Sequence, residues 1–131
     1  MYDLYIFDLD DVLIHEGLNN LCDDTLKVLE YLYSKNKYII LASHNTNAKN
    51  ILEQCNILKY FDDIYYYYDD TDKRSHLSDI LNTFSFIDRS KIIFYDDLES
   101  NINTGKSMNI KSILVDWTTG IKFKDILYLT V

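Results

Sequence analysis

Carboxylates recur in this chain directly after apolar runs. Asp8, Asp10 and Asp11 follow the first such run. Asp69, Asp70 and Asp72, with Lys73, follow a tyrosine-rich one; Asp96 and Asp97 follow KIIFY, and Asp116 follows KSILV. Behind YIILA stand Ser43, His44 and Asn45. Several close carboxylates repel one another and raise their own pKa values unless a cation sits among them. Oxygen ligands of this kind suit a hard ion, and Mg²⁺ is the usual one where a phosphate supplies further ligands. No His/Cys set with zinc spacing competes for that role. Taken singly, Asp, Ser and Asn after a strand are ordinary turn and cap residues. Taken together, four strand ends each supply a different element of one phosphotransfer site.

The elements that must hold these residues alternate along the chain. Leu4–Leu9 reads as a buried strand, Asp23–Ser34 as a helix with Asp23 or Asp24 as its N-cap, and Tyr38–Ala42 as a second strand. Thr46–Gln54 is helical, Asp63–Tyr68 a third strand, and Arg74–Phe84 helical. Lys91–Tyr95 is a fourth strand, Leu98–Met108 a helix, Lys111–Val115 a fifth strand and Phe123–Leu129 a last short helix. The strands are continuous apolar runs, as expected when both faces are covered. The expected fold is α/β, a Rossmann-like open parallel sheet of five strands flanked by helices, in strand order 5-4-1-2-3. Ligands of such sheets bind at the carboxyl ends of the strands, where the polar residues gather.

The 131 residues suit one domain, 1–131, and 47% hydrophobic content is enough for a packed core. A net charge of -8 argues against broad nucleic-acid binding and against anionic membranes. It does not argue against a phosphorylated substrate, because a bound cation and one lysine reverse the sign locally. No run is apolar for the roughly 18 residues that span a bilayer. The N-terminus lacks the basic and apolar regions of a signal peptide. Cys22 and Cys55 are read as reduced thiols, and the expected location is cytoplasmic. Proline is absent, while Ile, Asn, Tyr and Lys are abundant. That skew fits an AT-rich coding sequence, such as that of a protist, an AT-rich bacterium or a large DNA virus.

These motifs resemble those of the haloacid dehalogenase-like superfamily of phosphohydrolases. The first is the strand IFDLDDVLI, with Asp8, Asp10 and Val12 in an Asp-x-Asp-x-(Thr/Val) pattern. The second is IILAS, ending in Ser43; the third is Lys73 in DKRSHL; the fourth is IIFYDDLESNI, with Asp96, Asp97 and Asn101. The C-terminal half is similar to the small, capless magnesium-dependent phosphatase subgroup, through Lys73, His76, Asp96, Asp97, Asn101 and Ile102. All four motifs in order are strongly specific.

The resemblance implies a role for each residue. Asp8 would attack phosphorus and form an aspartyl-phosphate. Asp10 would protonate the leaving oxygen and then activate water. Asp8, Asp10, Asp97 and Asp96 would supply the Mg²⁺ site, with Asp97 the direct ligand and Asp96 orienting Lys73 or lying in the outer shell, or with Asp96 and Asp97 exchanging those roles. Ser43, His44, Asn45 and Lys73 would hold phosphoryl oxygens. Asn101 would steady the metal's waters. The presence of Asp10 favours phosphate over dehalogenase chemistry.

His44 and Asn45 depart from the Arg-Thr-like pair more usual in the subgroup, which bears on substrate. His15 is expected to be exposed in a turn, Asp11 to be a turn residue, and His76 to pack or hydrogen-bond near Lys73. Of Tyr65–Tyr68, Tyr68 is the one placed to reach the pocket; Trp117 is either a pocket wall or a lid on the core. Only a short flap, residues 13–22, follows the first motif, and no cap domain. An open site suits bulky or accessible substrates of the phosphoprotein or sugar phosphate type. The alternatives are a polynucleotide 3′-phosphatase or nucleotidase, and a catalytically silent phosphate-binding domain.

Overall fold

The structure is a computed structural model, and it describes residues 2–127. β1 (Leu4–Phe7) is buried at every position and lies at the centre of a five-stranded parallel sheet. It pairs with β4 (Tyr38–Ser43) on one side and β6 (Ile92–Asp96) on the other. β5 (Asp63–Tyr66) and β7 (Lys111–Leu114) form the edges. Numbered as sheet strands alone, the order is 5-4-1-2-3, as expected. The two remaining strands, β2 (Ile14–His15) and β3 (Asn20–Leu21), make a separate antiparallel hairpin inside the expected flap.

Successive strand residues face opposite sides, so one sheet feeds two cores. Tyr5, Phe7, Ile39, Leu41, Ile93 and Tyr95 pack with α1 (Thr25–Ser34), α2 (Ala48–Gln54) and α5 (Phe123–Leu127). Leu4, Ile6, Ile40, Ala42, Ile92 and Phe94 pack on the other side. There they meet α3 (Arg74–Thr83) and α4 (Glu99–Ser107). Within α1 the buried residues are Thr25, Val28, Leu29 and Leu32, whereas Leu26 and Tyr33 face solvent. The core stripe is therefore narrower than the apolar spacing of that segment.

Asparagine ends three of the helices where glycine would be usual. Asn36, Asn56 and Asn109 take φ of 58°, 58° and 60° after α1, α2 and α4. In each case the next amide reaches back to the third-last helical carbonyl. These bonds are Lys37 N to Leu32 O (3.1 Å), Ile57 N to Leu52 O (3.0 Å) and Ile110 N to Gly105 O (3.0 Å). Such left-handed caps satisfy the orphan carbonyls at a helix end.

The observed bounds differ from the sequence expectation where side chains divert the backbone. The second helix starts at Ala48 rather than Thr46, because Asn45 Oδ1 accepts the Asn47 amide (2.9 Å) and builds a turn first. β5 stops at Tyr66, and the next carbonyl, Tyr67 O, accepts from His76 instead of from a strand. Asp24 stands at the N-cap position of α1, but its carboxylate does not cap that helix and instead accepts the amide of Phe123, the first residue of α5 (2.9 Å). His15 is half-buried in β2, not exposed in a turn. Of the expected last helix Phe123–Leu129, positions 128 and 129 lie outside the described residues. Both cysteines are free thiols. No described helix is long and apolar enough to cross a membrane.

Candidate active site

The strand ends meet in a cavity of about 230 Å³ lined by Asp8, Asp10, Asp11, Glu16, Ser43, His44, Asn45, Lys73, Asp97, Leu98 and Asn101. Every residue to which the sequence assigns catalysis, phosphate or metal lines it, Asp96 apart, whereas Tyr68, expected to reach it, does not. Asp96 lies directly beneath and is fully buried.

Lys73 is the centre of the arrangement. Asp72 and Lys73 both adopt left-handed backbone, with φ of 50° and 69°, immediately before α3. Two consecutive non-glycine residues in that region store backbone strain, which a structure retains where the surroundings fix it. Here the fixing contacts are visible. Lys73 Nζ donates to Asp8 Oδ1 (3.1 Å), Ala42 O (2.8 Å) and Asp96 Oδ2 (2.9 Å). An ammonium has three donors, and all three are used. Burial works to lower the Lys73 pKa, but the Asp8 and Asp96 carboxylates outweigh it and raise it, so the side chain stays charged.

Asp96 is committed to this scaffold. Its Oδ1 accepts the Leu98 amide (3.0 Å), and its Oδ2 accepts Asn101 Nδ2 (3.1 Å) as well as Lys73. Asn101 therefore fixes a carboxylate directly. Asp97 has no such anchoring role. Burial pushes its pKa up to about 6, a hydrogen bond with Asp8 pulls the other way, and the nearby Asp96 charge raises it again. Burial likewise raises the Asp8 pKa; Lys73 opposes the rise, and Asp96 and Asp97 add to it.

Oxygens of Asp8, Asp96 and Asp97 lie within 4.8 Å of one another. Three crowded carboxylates against one ammonium are what a hard divalent cation would relieve, so these residues fit Mg²⁺. Asp8 and Asp97 are the carboxylates left to hold it, since Asp96 is already spoken for by three donors.

Asp10 stands in the turn that leaves the sheet. Leu9 O accepts the amides of Val12, Leu13 and Ile14, and Asp11 takes φ of 61°, as a turn residue should. Burial raises the Asp10 pKa, and a hydrogen bond from Asn45 Nδ2 to Oδ2 (3.2 Å) partly offsets this. A carboxyl kept more basic than usual suits proton transfer near neutral pH.

Asn45, which lines the cavity, has a further part in the site. Its amide donates to Ser43 Oγ (3.0 Å) and its side chain holds Asp10, so it organises two neighbours. Ser43 is buried, and its Oγ–H remains to donate toward the cavity. Glu16 was not legible from sequence; the hairpin returns it to the rim, where its amide donates to Asp11 Oδ1 (3.0 Å). The tyrosine run divides its work. Tyr65 OH donates to Asp63, and Tyr67 OH donates to Asp79 while its ring stacks on His76 at 4.0 Å. Tyr68 is 72% exposed and meets His44 edge-on at 5.7 Å. Trp117, 62% exposed, lines neither the cavity nor the core.

The fold recurs in solved structures. A haloacid dehalogenase-like hydrolase from Streptococcus pneumoniae superposes with a TM-score of 0.76 at 13% identity, over 97% of this chain and 90% of that one. A HAD-superfamily hydrolase from Ehrlichia chaffeensis gives 0.74 at 14% identity, over 98% and 97%. A β-phosphoglucomutase from Clostridium difficile gives 0.78 at 16% identity, over 100% of each chain. The parallel sheet and its strand order thus place this chain in the fold that these hydrolases share. The model of one family, acid phosphatase, matches residues 15–126, and the chain belongs to that family; it is a phosphatase. No curated relative matches the sequence. The family match begins after Asp8 and Asp10, so the case for those two residues rests on their own geometry.

Proposed function

We propose that the protein hydrolyses phosphate monoesters in two steps through an aspartyl-phosphate on Asp8, with Mg²⁺ as cofactor. One observation carries the reading: the Asp8 carboxylate, at the end of the central strand, is held by a buried ammonium inside a cavity that Asp10 also lines. In the first step an Asp8 oxygen bonds to phosphorus as the bond to the leaving oxygen breaks, and Asp10 gives that oxygen its proton. In the second, Asp10 takes a proton from water, which attacks phosphorus and releases Asp8 and inorganic phosphate. Ser43 donates to a phosphoryl oxygen, and the fixed charge of Lys73 offsets the negative charge that develops. Bound between Asp8 and Asp97, Mg²⁺ would neutralise phosphoryl charge.

The walls of the cavity are short loops and one hairpin, with no inserted domain among the described residues. That openness favours a phosphate presented on a bulky or accessible carrier, such as a phosphoprotein or a sugar phosphate. The test is hydrolysis of an aryl phosphate with Mg²⁺, with EDTA, and by Asp8→Asn. Turnover requires Mg²⁺ and Asp8; activity that survives either loss overturns the mechanism. A panel of phosphopeptides, sugar phosphates, nucleotides and 3′-phosphorylated oligonucleotides then ranks substrates.

A further inference from the structure

Beside the acid cluster, the fold assembles a second group that is not contiguous in sequence. His44 follows β4, Asp69 follows β5 and His76 lies in the first turn of α3. One ligand atom from each lies within 4.8 Å of the others. His44 Nε2 is 3.8 Å from Asp69 Oδ1, too far for a hydrogen bond. The two imidazole rings meet at 4.9 Å between centroids.

The nitrogens of this group are anomalous. His44 Nε2 and His76 Nδ1 are both buried without a hydrogen bond. Buried polar atoms of this kind are uncommon and call for an explanation, an ion among them. His76 is fully buried, and its Nε2 faces two acceptors, Tyr67 O at 2.8 Å and Ser43 O at 3.2 Å. Nε2 therefore carries the proton and Nδ1 the lone pair. A metal-binding histidine commonly has its other ring nitrogen tied to a carbonyl in this way. Burial also lowers the pKa of both imidazoles, which keeps them neutral and able to donate lone pairs.

We propose that His44, His76 and Asp69 form a second cation site, selective for a borderline ion of the Zn²⁺ type over Mg²⁺. Two imidazoles and one carboxylate are a donor set for zinc, whereas Mg²⁺ prefers oxygen alone and dehydrates reluctantly. An ion here pins the loop after β4, the loop after β5 and the start of α3 to one another. These segments carry Ser43 and Lys73, so the site fixes the phosphate-binding wall of the neighbouring cavity. The inference stands apart from the phosphatase reading, because binding is measured without turnover.

The full chain is titrated with Zn²⁺ in a large excess of Mg²⁺, with bound zinc counted by elemental analysis. Co²⁺ is used in parallel for its visible spectrum. One equivalent of zinc is retained, and Co²⁺ shows the intense visible bands of a four-coordinate nitrogen-containing site. The half-exposed His44→Gln variant, checked for folding by circular dichroism, weakens zinc binding at least about tenfold, the scale on which even outer partners of metal ligands matter. Asp97→Asn leaves it unchanged. Absence of zinc binding under excess Mg²⁺, weak octahedral-type Co²⁺ bands, or binding that survives His44→Gln but fails in Asp97→Asn overturns the proposal. An inactive protein that still takes up zinc through His44 counts only against the phosphatase mechanism.

Discussion

Lys73 Nζ lies 2.9 Å from Asp96 Oδ2, and neither group is exposed to solvent to any useful degree. Replacing Asp96 by Asn leaves Lys73 paired with Asp8 (3.1 Å) but weakens a buried hydrogen bond to a charged group, at a cost of about 1.5–3 kcal/mol. Asp96→Asn is therefore expected to lower the denaturation midpoint as well as activity. Urea unfolding followed by circular dichroism checks this against Asp97→Asn, which loses no such anchor.

Asp97→Asn has a different signature. If Asp97 holds the cofactor, the Mg²⁺ concentration for half-maximal activity rises by an order of magnitude or more, while folding is kept. A Mg²⁺ titration of initial rates reads the shift, and an unchanged Mg²⁺ requirement assigns the ion to other ligands.

Asp10→Asn keeps a hydrogen-bonding side chain in place but cannot transfer a proton. The expected loss is about 10²–10⁴-fold in kcat, the usual share of general acid–base catalysis. Substrates with good leaving groups need less protonation, so the defect shrinks for nitrophenyl esters relative to alkyl phosphates. Equal losses on both would remove Asp10 from the first step.

The pH dependence of stability follows from Asp97, whose pKa in the folded protein is about 6. An unfolded Asp titrates near 3.9. Between those values the folded state binds more protons at this group, so its contribution to the stability of the metal-free protein falls as pH rises through about 6. Asp8, whose pKa burial also raises, acts in the same direction. Thermal melts of the EDTA-treated protein, compared with those of Asp97→Asn, should show a midpoint that shifts downward relative to the variant between about pH 5 and about pH 7.5. Added Mg²⁺ should restore stability mainly at the higher pH, where the carboxylates are ionised. His44 and His76, whose pKa values burial lowers, act in the opposite direction below about 6.5, so an equal pH dependence in the protein and in Asp97→Asn is the result that contradicts the crowding of the acids.

Gly105 in α4 rests against Phe94 and Ser112, and a Cβ there would meet the Ser112 side chain. Gly105→Ala is expected to destabilise by about 1–3 kcal/mol through overpacking, despite alanine's better helix propensity. Chemical denaturation measures it.

Much of this was legible before any coordinates. Apolar runs such as YIILA and KIIFY, short, β-branched and alternating with helical segments, read as strands covered on both faces, and the residues after them then share one edge. Asp8, Ser43, Lys73 and Asp96 are brought together for that reason. What sequence could not show was direction within the cluster. Asp96 and Asp97 are adjacent letters, yet one is sealed under Lys73 and the other faces the cavity, a difference set by strand alternation at the point where β6 ends. Asn45 lines the cavity, and its bonds to Ser43 and Asp10 could not be read from the sequence. No zinc-like spacing was visible because His44 and His76 are far apart in the chain, and only the packing of α3 under β4 and β5 joins them. Glu16 reaches the rim through a hairpin too short to carry a periodic signal.

The β2–β3 hairpin has a consequence for turnover. Its root is stitched down: Leu9 O takes three amides, Cys22 N donates to Leu13 O (3.0 Å) and Ile121 N to Val12 O (2.8 Å). Thr25 Oγ1 adds a bond to Leu13 O (2.7 Å). A segment fastened at so many points is a fixed parapet and not a swinging gate. Substrates are then chosen by whether they can reach over it, and no opening motion of this segment stands between the finished reaction and departure of the product.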